Sequence, residues 1–128
     1  MTMQRILVVD DEFGLIEALA DVLSGEGYRV ATAINGKLAL AAIAEQAPDL
    51  ILLDLMMPIM SGAELLDALE TLEPPLVVPV IMMSAAPEAV TPDLRTRTVG
   101  LLKKPFTYRQ LTSALRAVFD GQGAGEPR

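Results

Sequence analysis

The sequence predicts a single α/β domain built on a parallel sheet with helices on both faces. Five short apolar runs alternate with longer stretches of helical period along the chain. Most of those runs are apolar throughout rather than alternating, as expected of parallel strands covered on both sides. At 128 residues the chain is long enough for one sizeable core and too short for two.

The elements follow in order. "RILVVD" (5–10) is β-branched, ends on acids and is expected to be a buried strand. In "EFGLIEALADVLSGEG", Leu15, Leu19, Val22 and Leu23 share one helical face, and the Gly25/Gly27 pair stops the helix. "YRVATA" (28–33) is a second, more polar strand, placed nearer an edge. The alanine-rich "GKLALAAIAEQA" is a helix ended by Pro48, and "DLILLD" is the third strand. "SGAELLDALETL" opens with Ser61 and Glu64 in capping-box spacing and is closed by Pro74-Pro75. "VVPVIMMS" (77–84) is the fourth strand, although Pro79 has no N–H to give a ladder and needs an explanation. "VGLLKK" (99–104) is the fifth strand. "TYRQLTSALRAVF" is the last helix, with a Thr107/Gln110 capping box and Leu111, Leu115, Val118 and Phe119 on one face. The tail, residues 120–128, has nothing to bury and is expected to be loose or to start a linker.

Composition narrows the chemistry. Hydrophobic residues at 52% and charged residues at 21% fit a globular rather than a disordered chain. No apolar run approaches the roughly 18 residues of a membrane span, and no leader pattern opens the chain. The expectation is an intracellular, cytoplasmic protein with no membrane contact. There is no cysteine and no histidine, so disulfides, thiolate chemistry, imidazole bases and phosphohistidine are excluded from this chain. Catalysis here would run on carboxylates, lysine, hydroxyls and backbone. A net charge of −7 argues against direct nucleic-acid contact.

In doubly wound sheets the chemistry collects beyond the carboxyl ends of the strands. Those ends carry Asp10-Asp11-Glu12, Asp54, Ser84-Ala85 and Lys103-Lys104-Pro105. No glycine-rich phosphate loop stands among them. Asp54 ends the apolar run Leu50-Ile51-Leu52-Leu53, where an unpartnered carboxylate would be costly. Acids converging at one edge cannot all ionise in a dry site unless a cation joins them. An all-oxygen donor set points to Mg²⁺, Mn²⁺ or Ca²⁺, and a small site that keeps its waters suits Mg²⁺. Lys104 would face the acids and pair with Asp54 or with an anion carried by Asp54, and the Ser84 hydroxyl could donate to the same anion. The plain alternatives are an acidic helix start, a loop-starting acid, a turn serine and a solvated lysine pair. Together the residues form a phosphoryl-transfer set: a carboxylate nucleophile, a metal, a cation and a hydroxyl.

"ILVVDDE", "DLILLDLMMPIMSG", "VIMMSA" and "LLKKPF", in that order, resemble the receiver domain of bacterial two-component response regulators. The resemblance runs from Met3 to Phe119, so residues 3–119 are read as the receiver domain. A pair of acids alone is weak; D-x-M-M-P-x-x-x-G together with K-P-F is specific. The resemblance implies a flavodoxin-like fold with strand order 2-1-3-4-5. It implies Asp54 as phosphoacceptor, Asp11 as a direct Mg²⁺ ligand, Asp10 acting through water and the Met56 backbone carbonyl as the third protein ligand. It also implies that Ser84 follows the phosphoryl group and that Lys104 pairs with it. Lys104 is preferred to Lys103 because it directly precedes proline, in a peptide bond that is often cis in this family. The implied phosphodonor is a sensor histidine kinase or a histidine phosphotransfer protein. The chain would then be a metal-assisted substrate rather than a turnover enzyme, signalling through residues 85–104 to a downstream protein.

Two rival readings stand beside this one. A haloacid-dehalogenase-like phosphatase would need a second acid two residues after the nucleophile, where this chain has Met56. A pseudo-receiver would be an interaction module that never carries phosphate. Two departures from the family bear on output. Receivers commonly place Tyr or Phe at the switch position occupied here by Leu101. The stretch "AAPEAVTPDLRTRTV" is a poor helix, so the fourth helix is expected to be short or irregular, beginning near Pro92, with little to bury. The segment after Phe119 is too short for a DNA-binding or catalytic domain, which leaves a lone receiver or the front of a longer chain.

Overall fold

The computed structural model describes residues 3–124. The elements are β1 (Arg5–Val9), α1 (Phe13–Gly25), β2 (Arg29–Ala33), α2 (Gly36–Glu45), β3 (Leu50–Asp54), α3 (Gly62–Glu70), β4 (Val80–Ser84), α4 (Pro92–Thr96), β5 (Gly100–Lys103) and α5 (Tyr108–Ala124), with a 3₁₀ turn at Pro87–Ala89. All four strand pairings are parallel and the order is β2-β1-β3-β4-β5. This is the expected doubly wound sheet, with the more polar β2 at one edge. Each parallel pairing needs a crossover, and the intervening helices supply it.

The pleat divides the core in two. Leu7, Val9, Ile51, Leu53, Val80 and Met82 face the side that carries Ala39 and Ile43 of α2, Leu65, Leu66 and Leu69 of α3, and Leu94 of α4. Ile6, Val8, Leu50, Leu52, Ile81 and Met83 face Ile16, Leu19 and Leu23 of α1 and Leu111 and Leu115 of α5. Adjacent residues of one strand thus pack into opposite layers, which is why the strands carry apolar residues at consecutive positions. Burying a side chain of this size contributes about 2 kcal/mol, so the two layers supply most of what holds the sheet.

Several local expectations are corrected. On α1 the buried face is Ile16, Leu19 and Leu23, while Val22 is exposed and Leu15 only half-buried. β4 starts at Val80, not Val77. Pro79 lies just outside the strand, where its carbonyl accepts from Ile51 N–H at 3.0 Å and its missing N–H breaks no ladder bond. The segment before β5 buries more than its composition suggests. Val90 and Leu94 both join the core, and α4 opens with Pro92 after Thr91, whose side chain accepts from Leu94 N–H at 3.2 Å. The short helix does begin at Pro92, as expected, because the first helical N–H has no intrahelical partner to lose. Arg97 closes the segment with ion pairs to Asp67 at 2.8 Å and Glu70 at 3.1 Å on α3, and to Asp93 at 3.3 Å. α5 runs on to Ala124 rather than ending at Phe119, since each added turn residue gains a backbone bond without needing an apolar face. Residues 125–128 of the expected tail lie outside the described residues.

The capping boxes form as spaced. Ser61 Oγ accepts from Glu64 N–H at 3.2 Å, and Glu64 accepts from Ser61 N–H at 3.0 Å. Thr107 and Gln110 exchange the same pair of bonds at 3.1 and 2.8 Å. Asn35 caps α2 by accepting from Leu38 N–H at 2.9 Å. Among the described residues no helix is long and apolar enough to cross a membrane.

Candidate functional site

Sheet register assembles the site. Val9 stands opposite Leu53, so Asp10 and Asp54, each one residue further, emerge side by side from β1 and β3. Ser84 stands opposite Lys103, and Lys104 N–H donates to the Ser84 carbonyl at 2.8 Å, which brings the end of β5 to the same edge. Asp10, Asp54 and Lys104 continue the alternation of Val8, Leu52 and Leu102, which all face the α1/α5 layer.

Two of the three acids are removed from water. Asp10 is 0% exposed and Asp54 5%, whereas Asp11 is exposed. Each of the three offers a carboxylate oxygen, and these oxygens lie within 4.8 Å of one another. Lys104 Nζ reaches Asp10 Oδ2 at 2.6 Å and Asp54 Oδ1 at 3.4 Å. The lysine therefore lies closer to Asp10 than to Asp54, a pairing that strand-end reasoning missed. Asp10 Oδ1 also accepts from Glu12 N–H at 2.9 Å, so both of its oxygens are engaged. Asp54 is left as the buried carboxylate with the weaker tie.

The electrostatics follow from that geometry. Burial pushes the Asp54 carboxyl up to about 6, the Asp10 carboxylate adds to the rise, and Lys104 opposes it. Burial alone would pull the Lys104 ammonium down, but the bond and charge of Asp10, with Asp54 behind it, hold it above the ordinary lysine range. Two buried carboxylates against one ammonium leave a local excess of negative charge, which a divalent cation would balance.

A groove at this edge is lined by Asp54, Met56, Ser84 and Lys104 together with Ala85, Ala86 and Ala89. The small side chains leave room beside the Asp54 carboxylate. Ser84 is 2% exposed, and its Oγ accepts from Ala86 N–H at 3.0 Å, which leaves the hydroxyl proton free to donate. Lys103 is exposed and takes no part in these contacts. The Lys104–Pro105 peptide is cis. Leu101, the expected switch position, is half-buried opposite Met82, against the α2/α3/α4 layer.

Sequence reasoning passed over the glycines that shape the rim. A Cβ on Gly62 would stand 2.6 Å from the Asp54 carbonyl oxygen, so only glycine lets α3 start this close to β3. The residue was visible in the D-x-M-M-P-x-x-x-G spacing, but nothing in the spacing stated its reason.

A family model described as the response regulator receiver domain matches residues 6–116. This chain belongs to that family. DNA-binding response regulator MtrA of Mycobacterium tuberculosis is 40% identical to this receiver over 116 residues, covering 89% of the chain and 50% of MtrA. The phosphate regulon transcriptional regulatory protein PhoB of Pseudomonas aeruginosa is 38% identical over 128 residues, covering 98% of the chain and 56% of PhoB. The receiver thus spans about half the length of these curated relatives. Among solved structures, a CheY-like receiver domain from Methylobacillus flagellatus superposes with a TM-score of 0.83 at 22% identity, over 91% of this chain and 99% of that one, which shows the shared fold. Chemotaxis response regulator CheY4 of Vibrio cholerae is 30% identical with a TM-score of 0.79, over 91% and 99% of the two chains.

Proposed function

We propose that this receiver accepts a phosphoryl group on Asp54, with Mg²⁺ bound beside it, from a sensor histidine kinase or a histidine phosphotransfer protein. The observation that carries the reading is the state of Asp54. It is a buried carboxylate in a groove shared with Ser84 and Lys104, and it lies within ligand distance of two further acids. A carboxylate kept there for stability alone would be better replaced by an apolar residue.

The donor set fits a hard divalent cation: three carboxylate oxygens gathered together, with neither histidine nor cysteine in the chain. Asp11, Asp54 and the Met56 carbonyl would hold Mg²⁺, with Asp10 acting through water. Bound there, the ion would neutralise charge on the carboxylates and on the incoming phosphoryl group. The chain's own residues do the rest. β3 holds the Asp54 oxygen rigidly at the groove, Lys104 supplies a fixed cation for the phosphoryl oxygens, and the Ser84 hydroxyl donates to one of them. In this reading the chain is a substrate that assists its own phosphorylation and dephosphorylation, not a turnover enzyme.

Output runs through residues 85–104, which join Ser84 to Lys104, to a downstream protein or domain. MtrA carries DNA binding in its name. For the present chain we assign any such contact to a segment other than this acidic domain, whose net charge is −7. Uptake of beryllofluoride with Mg²⁺ tests the reading. Stoichiometric binding at Asp54 is expected; no uptake at millimolar reagent would make the chain a pseudo-receiver.

A further inference from the structure

The β3–α3 loop is closed at its base and seated on α2 through a second glycine. At the base, Gly62 N–H donates to the Leu55 carbonyl at 3.0 Å. At the far side, Met60 rests on the first residue of α2. A Cβ on Gly36 would fall 2.6 Å from Met60 Cγ and 2.7 Å from both its Cβ and its Sδ. Met60 Cβ is fixed to the backbone, so no change of side-chain rotamer would clear that overlap. The loop itself would have to move.

Between these two anchors the chain turns sharply. Met60 N–H donates to the Pro58 carbonyl at 2.7 Å, and Ile59 sits at φ 70°, in the left-handed region. That conformation is unfavourable for a β-branched residue and persists only when its surroundings impose it. Ile59 is 71% exposed, so its own burial does not impose it. The constraint comes from the ends of the turn, and one of those ends is Met60 against Gly36. Residues 56–61 are too few to absorb a displacement of Met60 without passing it on to Met56.

We propose that Gly36 is a positioning residue for the metal site. Its missing side chain lets Met60 seat on α2, which sets the turn at Ile59 and fixes the Met56 carbonyl beside Asp54. The proposal rests on the reading of Met56 as a metal ligand. It couples the start of α2 to the phosphorylation site through a packing contact, with no charged or hydrogen-bonding group in between.

The test is a Mg²⁺ titration followed by the backbone amide shifts of residues 10–12 and 54–57, with thermal unfolding in chelator run in parallel. Gly36→Ala should weaken Mg²⁺ binding about 10-fold, the scale on which residues behind a metal ligand act. On helix propensity alone alanine would favour α2, so a loss is attributable to the contact with Met60. Met60→Gly breaks the same contact by removing atoms and should also weaken binding, and adding Gly36→Ala to it should change nothing further. Wild-type Mg²⁺ affinity in Gly36→Ala, or independent additive losses in the double variant, would overturn the proposal. If Gly36→Ala does not fold, Met60→Gly alone decides, and unchanged affinity there overturns it. A wild-type chain whose residues 10–12 and 54–56 stay silent at millimolar Mg²⁺ would overturn the metal reading, and this proposal with it.

Discussion

Asp54→Asn should make the metal-free protein more stable, by an amount that depends on pH. A carboxyl held at about 6 against an ordinary 3.8 costs the folded chain about 3 kcal/mol once it is ionised, at about 1.4 kcal/mol per tenfold change in proton affinity. Because the folded-state value is raised, the folded chain binds more protons than the unfolded chain between these two values. The contribution of Asp54 to wild-type stability is therefore fully present below pH 3.8 and is lost as pH rises through about 6. Asparagine resembles the protonated carboxyl at every pH. The difference between variant and wild type should be small near pH 4 and reach about 3 kcal/mol by pH 8, equivalent to roughly 10 °C in Tm for a domain of this size. Urea unfolding in chelator at the two pH values measures it, with m-values checked for constancy. A difference that is the same at both pH values, or a variant less stable than wild type at pH 8, would refute the reasoning. In millimolar Mg²⁺ the gap should narrow, since ligand binding stabilises the wild type more than the variant.

Three further outcomes follow from the geometry. Lys104→Ala leaves Asp10 buried without its cation and should cost about 3 kcal/mol; Mg²⁺ binding should persist while phosphorylation fails to shift the amides of residues 85–104, and a normal shift would remove Lys104 from the response. Gly62→Ala forces a Cβ against the Asp54 carbonyl oxygen at 2.6 Å and should destabilise the domain by about 2 kcal/mol, read by chemical unfolding; a neutral effect would mean that the β3–α3 junction yields freely. Hydrogen exchange over residues 85–98 should be graded in the resting state, fast through the 3₁₀ turn and slower from Leu94 to Arg97, where burial and three ion pairs hold the chain. Protection gained at 85–91 with beryllofluoride would support an order–disorder response in place of an aromatic switch, whereas slow, equal exchange in both states would sink it.

The sequence made the sheet legible because β1, β3 and β4 carry apolar residues on both faces and give way to an acid or a serine at their carboxyl ends. Asp54 was conspicuous for that reason. The helix caps were equally legible, since Ser61/Glu64 and Thr107/Gln110 act over local spacing that folding does not alter. What escaped depends on contacts across the fold. Whether Lys104 lies nearer Asp10 or Asp54 is a matter of 2.6 against 3.4 Å, decided by side-chain placement across three strand ends. The burial of Val90 and Leu94 reflects a packing surface provided by other elements, not the weak helical character of their own segment. Nothing local marks Gly36 as more than a helix start; its need for glycine comes from Met60, remote in sequence. On α1, Leu15, Leu19, Val22 and Leu23 fit a helical stripe nearly as well as Ile16, Leu19 and Leu23, and packing against the sheet, which no local spacing encodes, buries the second set.

The central claim is that Asp54 receives a phosphoryl group, and mass spectrometry tests it most directly. The purified protein is incubated with acetyl phosphate and Mg²⁺, then mapped by peptide with and without hydroxylamine. One hydroxylamine-sensitive phosphoryl group on the peptide containing Asp54, dependent on Mg²⁺ and absent from Asp54→Asn, is the expected result. Undiminished labelling of Asp54→Asn, or a wild-type chain that takes up no label from acetyl phosphate or from a histidine phosphodonor, would contradict it.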